Sequence, residues 1–319
     1  MPRVIVVVFC LFFFLSFSSV AAHEQVVVVP LNSSKKLANI ITVAKSGGDF
    51  TNPVAAVASI TDASGSNSYL VVIGPGSYTL TEPLIMKRNV SIAGSGRNAT
   101  TLTGYISSAT ADSSSAIVVG AQFTQLSDIT IVNRGGGYYS IGFYSYDNGP
   151  TLIENVTISV SGGTNNRGLF IRDESAYGVK LSNSHVLAKG TGSGEYTYGA
   201  YIESGYFEIK NSSLVALSGV FTRGIYQYGA NTVLKNVEAK ASDGSSNNYG
   251  IYSLNSSYTK IYHSDLNGTT AGLNVTSGTA RVMNSSIEGG VNYTGGTLTC
   301  MNSNNGSSAE LESDCTTPP

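Results

Sequence analysis

The sequence predicts an all-β fold, a parallel β-helix built as a solenoid and closed at its N-terminal end by a capping helix. Two ladders and one phase change predict it. A glycine followed by an apolar residue and then, in the earlier repeats, an aromatic one returns at Gly142, Gly168, Gly199, Gly224, Gly250, Gly272 and Gly290, as in GIYQY and GIYSL. A second marker returns between these glycines at Asp128, Asn155, Asn183, Asn211, Asn236, His263, Asn284 and Asn302. The two stay in order while the distances between them vary, as in a solenoid whose coils stack on their neighbours and absorb insertions in loops. Around each asparagine an apolar residue stands two before it (Ile153, Leu181, Ile209, Leu234, Ile261, Val282) and another three after it (Ile158, Val186, Leu214, Ala239, Leu266, Ile287). An even step before and an odd step after make the inward face change phase at the asparagine, so the chain bends there.

Taken in order, the chain opens with MPRVIVVVFCLFFFLSFSSVAA, one arginine before an apolar run and then small residues. That is the layout of a secretory signal peptide over 1–22. Residues 23–39 read as a leader segment. Residues 40–315 read as one β-helix, with the cap and first coils over 40–125 and the repeat coils over 126–315, and 316–319 as a tail. Within the first part, Val54, Val57, Ala58 and Ile60 follow a Thr/Asn start at helical spacing, which predicts a capping helix between Thr51 and Ala63. YLVVIGPGSY predicts a buried strand and a Gly-Pro-Gly turn, and NVSIAGSGRNATTLTG a further strand pair. In the repeats, the residue after each glycine (Phe143, Leu169, Ala200, Ile225, Ile251, Leu273, Val291) is apolar and predicts the inner face of a further strand. Each ladder asparagine is expected to point inward and to bond its own turn and its counterpart one coil along.

Composition agrees with a β-rich extracellular chain. Charged residues are 12% of it, Gly numbers 36 of 319, and Tyr 19. A net charge of −2 gives no electrostatic reason to expect nucleic acid or an anionic membrane as partner. With the signal removed no further apolar run spans a membrane, and the expected location is secreted or cell-surface, periplasmic in a Gram-negative bacterium. Cys300 and Cys315 are the cysteines left after signal removal, and an oxidising compartment lets them pair, with free thiols the alternative. No Cys-x-x-Cys or His cluster points to a metal, and no cofactor is expected.

ITVAKSGGDFTNPVAAVASI, YLVVIGPGSYTL and VSIAGSGRNATTLTG, in this order, resemble the opening of pectin methylesterases. The resemblance runs over Ile41 to Gly104 and, more loosely, Ile117 to Asn133. It implies the right-handed parallel β-helix of the pectin lyase-like superfamily. The family uses two aspartates, glutamines and an arginine carried on Gln-Ala-Val, Gln-Asp-Thr, Asp-Phe-Ile-Phe-Gly and Gly-Arg-Pro-Trp strings, and none of these occurs here. Followed coil by coil, the first three fall near Ser140, near Asn166 and Arg167, and near Tyr198. Fold and chemistry therefore part company, and catalysis by the esterase route is not expected.

The candidate binding residues form the column two after each glycine, Tyr144, Phe170, Tyr201, Tyr226 and Tyr252. Alternation places them on the outer side of the strand, with coils about 4.8 Å apart, as a solvent-facing stripe able to lie against sugar rings. The alternative reading is that the column stacks on itself and locks the coils in register. Asp173, Glu174 and Glu203 with Arg172 form a candidate carboxylate group, more ordinarily a solvated ion-pair rung. His185 and His263 fall in or beside the asparagine ladder and read as structural. Sequons occur at Asn89, Asn98, Asn255, Asn267, Asn274 and Asn292, and at ladder positions Asn155, Asn211 and Asn284, where burial is expected. The expected role is non-catalytic binding of glycan or polysaccharide, against two competing classes: a polysaccharide-active enzyme with a non-standard site, and a structural or adhesin-like module.

Overall fold

The chain is known from a computed structural model, which describes residues 39–146, 149–173, 178–192, 196–307 and 309–316. The expected signal peptide, the leader up to residue 38 and Glu174 lie outside the described residues. Stacked coils form a right-handed parallel β-helix, and each strand pairs in parallel with its counterpart on the next coil.

Every ladder residue named from the sequence has the left-handed backbone conformation, with φ from 47° at Asn211 and Asn302 to 56° at Asp128. Asparagine and aspartate tolerate this region because their short polar side chains bond locally. One such residue breaks the alternation of faces, so the coil turns there, and a third strand begins beyond the next loop. Each coil thus has three walls. The first precedes the asparagine (Val179–Ser182, Ser256–Tyr262, Gly278–Met283), the second follows it (His185–Lys189, Asp265–Gly268, Ser286–Glu288), and the third carries the glycine motif (Tyr139–Tyr146, Asn165–Arg172, Tyr196–Glu203). In the middle coils the walls merge into the long strands Tyr206–Tyr228 and Asn231–Leu254.

The three apolar columns predicted from the sequence fill the interior. Ile153, Leu181, Ile209, Leu234, Ile261 and Val282 are buried on the first wall, Ile158, Val186, Leu214, Ala239, Leu266 and Ile287 on the second, and Phe143 to Leu273 on the third. The last third-wall strand, Val291–Tyr293, is short, and Val291 is only partly buried, so the solenoid tapers at this end.

The asparagine side chains do not point inward. Asn183, Asn211, Asn236, Asn284 and Asn302 are exposed and Asn155 is half-buried, which also corrects the expected burial of the ladder sequons. Outside the coil they still bond along the stack: Asn155 Nδ2 donates to Asp128 Oδ1 at 2.6 Å, Asn211 to Asn183 Oδ1 at 3.2 Å and Asn236 to Asn211 Oδ1 at 3.0 Å. The group that turns in is the following serine. The N–H of Val156 donates to Ser184 Oγ (3.0 Å), that of Ser184 to Ser212 Oγ (3.1 Å), that of Val237 to Ser264 Oγ (3.1 Å) and that of Ser264 to Ser285 Oγ (3.1 Å). Each of these hydroxyls donates in turn to the carbonyl two residues before it. The bend's backbone groups are thereby satisfied by a buried serine relay.

At the N-terminal end the helix is Pro53–Ser59, shorter than its apolar spacing suggested. Asn52 caps it, its Oδ1 accepting from the Val54 N–H at 2.8 Å, and proline occupies the first turn, where a missing N–H costs nothing. Pro53, Ala56 and Val57 are buried, while Ala58 is exposed. At the other end Cys300 and Cys315, both buried, are joined as a disulfide across a separation of 15 residues. Replacing both with serine should lower stability by about 3 kcal/mol through the freedom returned to the unfolded tail. Melting of the parent with and without reductant checks this, and equal melting temperatures would refute it.

Candidate functional site

The third wall carries the candidate site, and its glycines decide its shape. A Cβ built on Gly199 would stand 2.5 Å from the Gly224 carbonyl oxygen and 3.2 Å from backbone atoms of Leu214 and Val215. The third wall therefore runs so close to the second that only glycine fits, and two successive positions, glycine and the apolar residue after it, face inward. The residue before the glycine is left facing outward beside the one two after it. The outer surface thus has two adjacent columns. Tyr144, Phe170, Tyr201, Tyr226 and Tyr252 make the one foreseen from the sequence, and Ile141, Arg167, Tyr198, Arg223 and Tyr249 make the other, in register coil by coil.

The foreseen column changes character along its length. Tyr144 and Phe170 are only 9% and 7% exposed, because Ala116, Val119 and Ile141 close around them in a small apolar cluster outside the coils, with Ala111 packed against it. For these two the expectation of a solvent-facing ring is corrected. Tyr201, Tyr226 and Tyr252 are half-buried. Rings meet edge to face from Tyr144 to Phe170 (5.2 Å, 78°) and from Phe170 to Tyr201 (5.0 Å, 87°). From Tyr201 onward they lie flat on one another, at 4.9 Å and 20° to Tyr226 and at 5.7 Å and 15° from Tyr226 to Tyr252. Stacking along the axis hides ring faces against neighbouring rings and turns edges and hydroxyls outward.

The second column fills the gaps with cations. The Arg167 guanidinium lies 4.2 Å from the Tyr201 centroid, 4.7 Å from Phe170 and 5.1 Å from Tyr139. Arg223 lies 4.5 Å from Tyr252, 5.2 Å from Tyr226 and 5.3 Å from Tyr198, and its Nη1 donates to the Tyr198 hydroxyl at 2.6 Å. The two arginines are 8% and 9% exposed, and the interlocked rings hold them by their quadrupoles. Burial lowers the Arg167 pKa, opposed by the surrounding tyrosines and Glu203, and a guanidinium remains charged throughout. Burial also pushes the Tyr226 phenol up to about 12 and raises those of Tyr201 and Tyr198, so these three hydroxyls stay protonated at neutral pH and can donate as well as accept.

The positions that the resemblance matched to esterase chemistry fall on or under this wall. Ser140 and Asn166 are buried inside, Asn166 bonding Gly163 through both its amide atoms (2.7 and 3.0 Å), while Arg167 and Tyr198 belong to the outer columns. Of the candidate acids, Asp173 is fully buried at the end of its strand and Glu203 is half-buried in the next coil. His185 is exposed on the second wall, and His263 occupies a bend position, its ring 3.4 Å from Asn284 Nδ2. Among the described residues no three His, Cys, Asp or Glu side chains gather to hold a metal ion, and no helix is long and apolar enough to cross a membrane.

Comparison with solved structures places the fold. A pectin methylesterase from Aspergillus niger, in deglycosylated form, superposes with a TM-score of 0.50 at 14% identity, covering 88% of this chain and 91% of that one. The pectin methylesterase from carrot gives 0.47 at 14% identity, covering 86% of each chain, and PemA from Erwinia chrysanthemi gives 0.43 at 14%, covering 88% and 92%. No protein-family model and no curated protein sequence matches the chain. At such identity the likeness defines a class by architecture. The chain has the pectin methylesterase type of right-handed parallel β-helix, without that family's catalytic strings in its sequence.

Proposed function

We propose that the chain is a secreted or cell-surface, non-catalytic β-helix that binds polysaccharide along its third wall. One observation carries the reading: Tyr201, Tyr226 and Tyr252 present a row of hydroxyls one coil apart, over a floor holding the positive charge of Arg167 and Arg223. Phenol edges spaced by about 4.8 Å suit hydrogen bonding to successive rings of an extended sugar chain. The ring faces are largely occupied by one another, so the contact works through the hydroxyls rather than by stacking sugar on tyrosine. Supporting the non-catalytic part, the positions that the sequence resemblance matches to the esterase acids hold Arg167 and Tyr198.

The test keeps the rings and removes the hydroxyls. A Tyr201→Phe, Tyr226→Phe, Tyr252→Phe triple variant should melt close to the parent yet bind polysaccharide at least about tenfold more weakly, since each neutral hydrogen bond contributes about 1 kcal/mol. Glycan-array screening followed by calorimetry on the strongest hit reads the affinity. Unchanged affinity in the triple variant would remove the third wall from the contact. In parallel, methanol release from methylated pectin should not exceed a heat-treated control, and release abolished by an Asp or Glu substitution would replace this reading with an enzyme.

A further inference from the structure

A second surface stands on the first wall, away from the tyrosine row. Its outward residues form two columns in register: Lys180, Glu208, Val233, Lys260 and Arg281 in one, and Lys210, Lys235, Tyr262 and Met283 in the other. Five cations thus cover five successive coils of a chain whose net charge is −2. On these coils the carboxylate of the columns is Glu208, bonded to Lys210 Nζ at 2.8 Å with Lys235 Nζ at 3.6 Å. Burial works to raise the Glu208 pKa, but the hydrogen bond from Lys210 and the charges of Lys210, Lys235 and Lys180 outweigh it and hold the carboxyl below its usual range. Glu154 stands in the second column one coil before Lys180, so two carboxylates face five cations and the wall keeps a positive field.

Beside this field lies an open groove of about 770 Å³, lined by Tyr206, Val233, Lys235, Tyr258, Lys260 and Tyr262 among others. Tyr206 and Tyr258 occupy one column, but Asn231 stands on the coil between them. Two coil spacings, roughly 10 Å, therefore separate the two tyrosines, against one spacing on the third wall, where rings close on each other. The interval is a slot with a tyrosine at either side, half-buried Lys260 over the Tyr258 ring at 4.9 Å, and buried Val233 as its floor.

From this arrangement we infer that the first wall is a second binding surface, specific for an acidic polysaccharide bearing one free carboxylate per sugar, with one pyranose seated between Tyr206 and Tyr258. Rings of that size fit the slot. Cations delivered about once per coil match a polymer charged about once per ring, whereas a denser polyanion would have to bring its excess charge against a net negative chain. Lys235 and Lys260 flank the slot and supply charge-assisted hydrogen bonds to the carboxylates. The inference does not rest on the third-wall reading and involves none of its residues.

Calorimetry separates the two. The probes are polygalacturonate oligomers, the same oligomers fully methyl-esterified, chondroitin sulfate, double-stranded DNA and anionic phospholipid vesicles. Each is measured on the mature chain, on the triple phenylalanine variant, and on Lys235→Gln/Lys260→Gln in both backgrounds. The free-acid oligomers should bind at least about tenfold tighter than the esterified ones in the triple phenylalanine background. Raising salt from 50 to 500 mM should weaken that binding markedly, as the screening length shortens. The lysine double variant should lose about tenfold or more while melting like its parent. Equal binding of acid and ester, or an unmoved affinity in the lysine variant, overturns the inference. So does tighter binding of the sulfated glycan, DNA or vesicles, which would make the wall a patch for another anion. The ester and salt comparisons use unaltered lysines and decide the matter even if the lysine variant fails to fold.

Discussion

A Gly224→Val variant should fail to reach the native fold, or should melt far below the parent. A Cβ on Gly224 would stand 2.7 Å from the Gly250 carbonyl oxygen, 2.7 Å from the Lys240 amide nitrogen and 3.0 Å from the Ala239 carbonyl carbon. All three are backbone atoms of strands fixed on both sides by parallel pairing, so none can swing aside as a side chain would. Relief requires the third wall to lift from the second, which would pull Ile225 out of the core and part Tyr226 from its neighbours. Overpacking ordinarily costs 1–3 kcal/mol, and with two further methyls and rigid neighbours the expected loss exceeds about 3 kcal/mol. The control is Gly136→Val, where nothing lies within 4 Å of the added Cβ and the loss should be slight. Urea denaturation of both variants checks the pair; similar midpoints would mean that the close approach of the walls is misplaced.

The second large effect is expected for Tyr201→Ala/Tyr226→Ala. These two rings touch each other and also Phe170, Tyr198 and Tyr252, while Arg167 and Arg223 lie over them. Their removal deletes about half the burial of two aromatic side chains and several ring contacts, for a combined loss on the order of 4 kcal/mol. Arg167 and Arg223 would lose part of the cage that compensates their desolvation. The single variants should not add up to the double, because the rings share partners. Thermal melting of all three gives the coupling. A double variant within about 1 kcal/mol of the parent would show that the stack contributes nothing to register, contrary to its geometry. Together with the phenylalanine triple variant this assigns the two halves of each tyrosine separately, the ring to cohesion and the hydroxyl to binding.

The bends and core columns were legible because they depend on residue type at fixed offsets. Asparagine, with Asp128 and His263, holds the left-handed backbone position at each bend, and up to Asn284 apolar residues stand two before and three after it. The direction of the asparagine side chain was not legible, since that depends on how one left-handed residue rotates the strand. The recurrence of serine just after the bend at Ser184, Ser212, Ser264, Ser285 and Ser303 was the signal that would have revealed it. In the same way, the tyrosine column was visible two after the glycine. The arginines were missed because alternation assigns the residue before glycine to the outside only when glycine itself turns inward. The alternation Arg167, Tyr198, Arg223, Tyr249 was the available clue. The basic first wall escaped notice for another reason. Its cations are a full coil apart in sequence, and a net charge averages them with acids from the whole chain.

The serine relay has one interruption. Between Ser212 and Ser264 the corresponding residue is Val237, which has no hydroxyl to accept from the coil before it. Bonds between coils run along the long axis, so axial tension opens them one layer at a time rather than shearing them together. The joint at Val237 keeps its strand pairing and apolar packing but lacks the serine bond from coil to coil present at the neighbouring bends. One residue type, valine where the flanking bends carry serine, thus sets the joint at which axial tension meets one bond fewer.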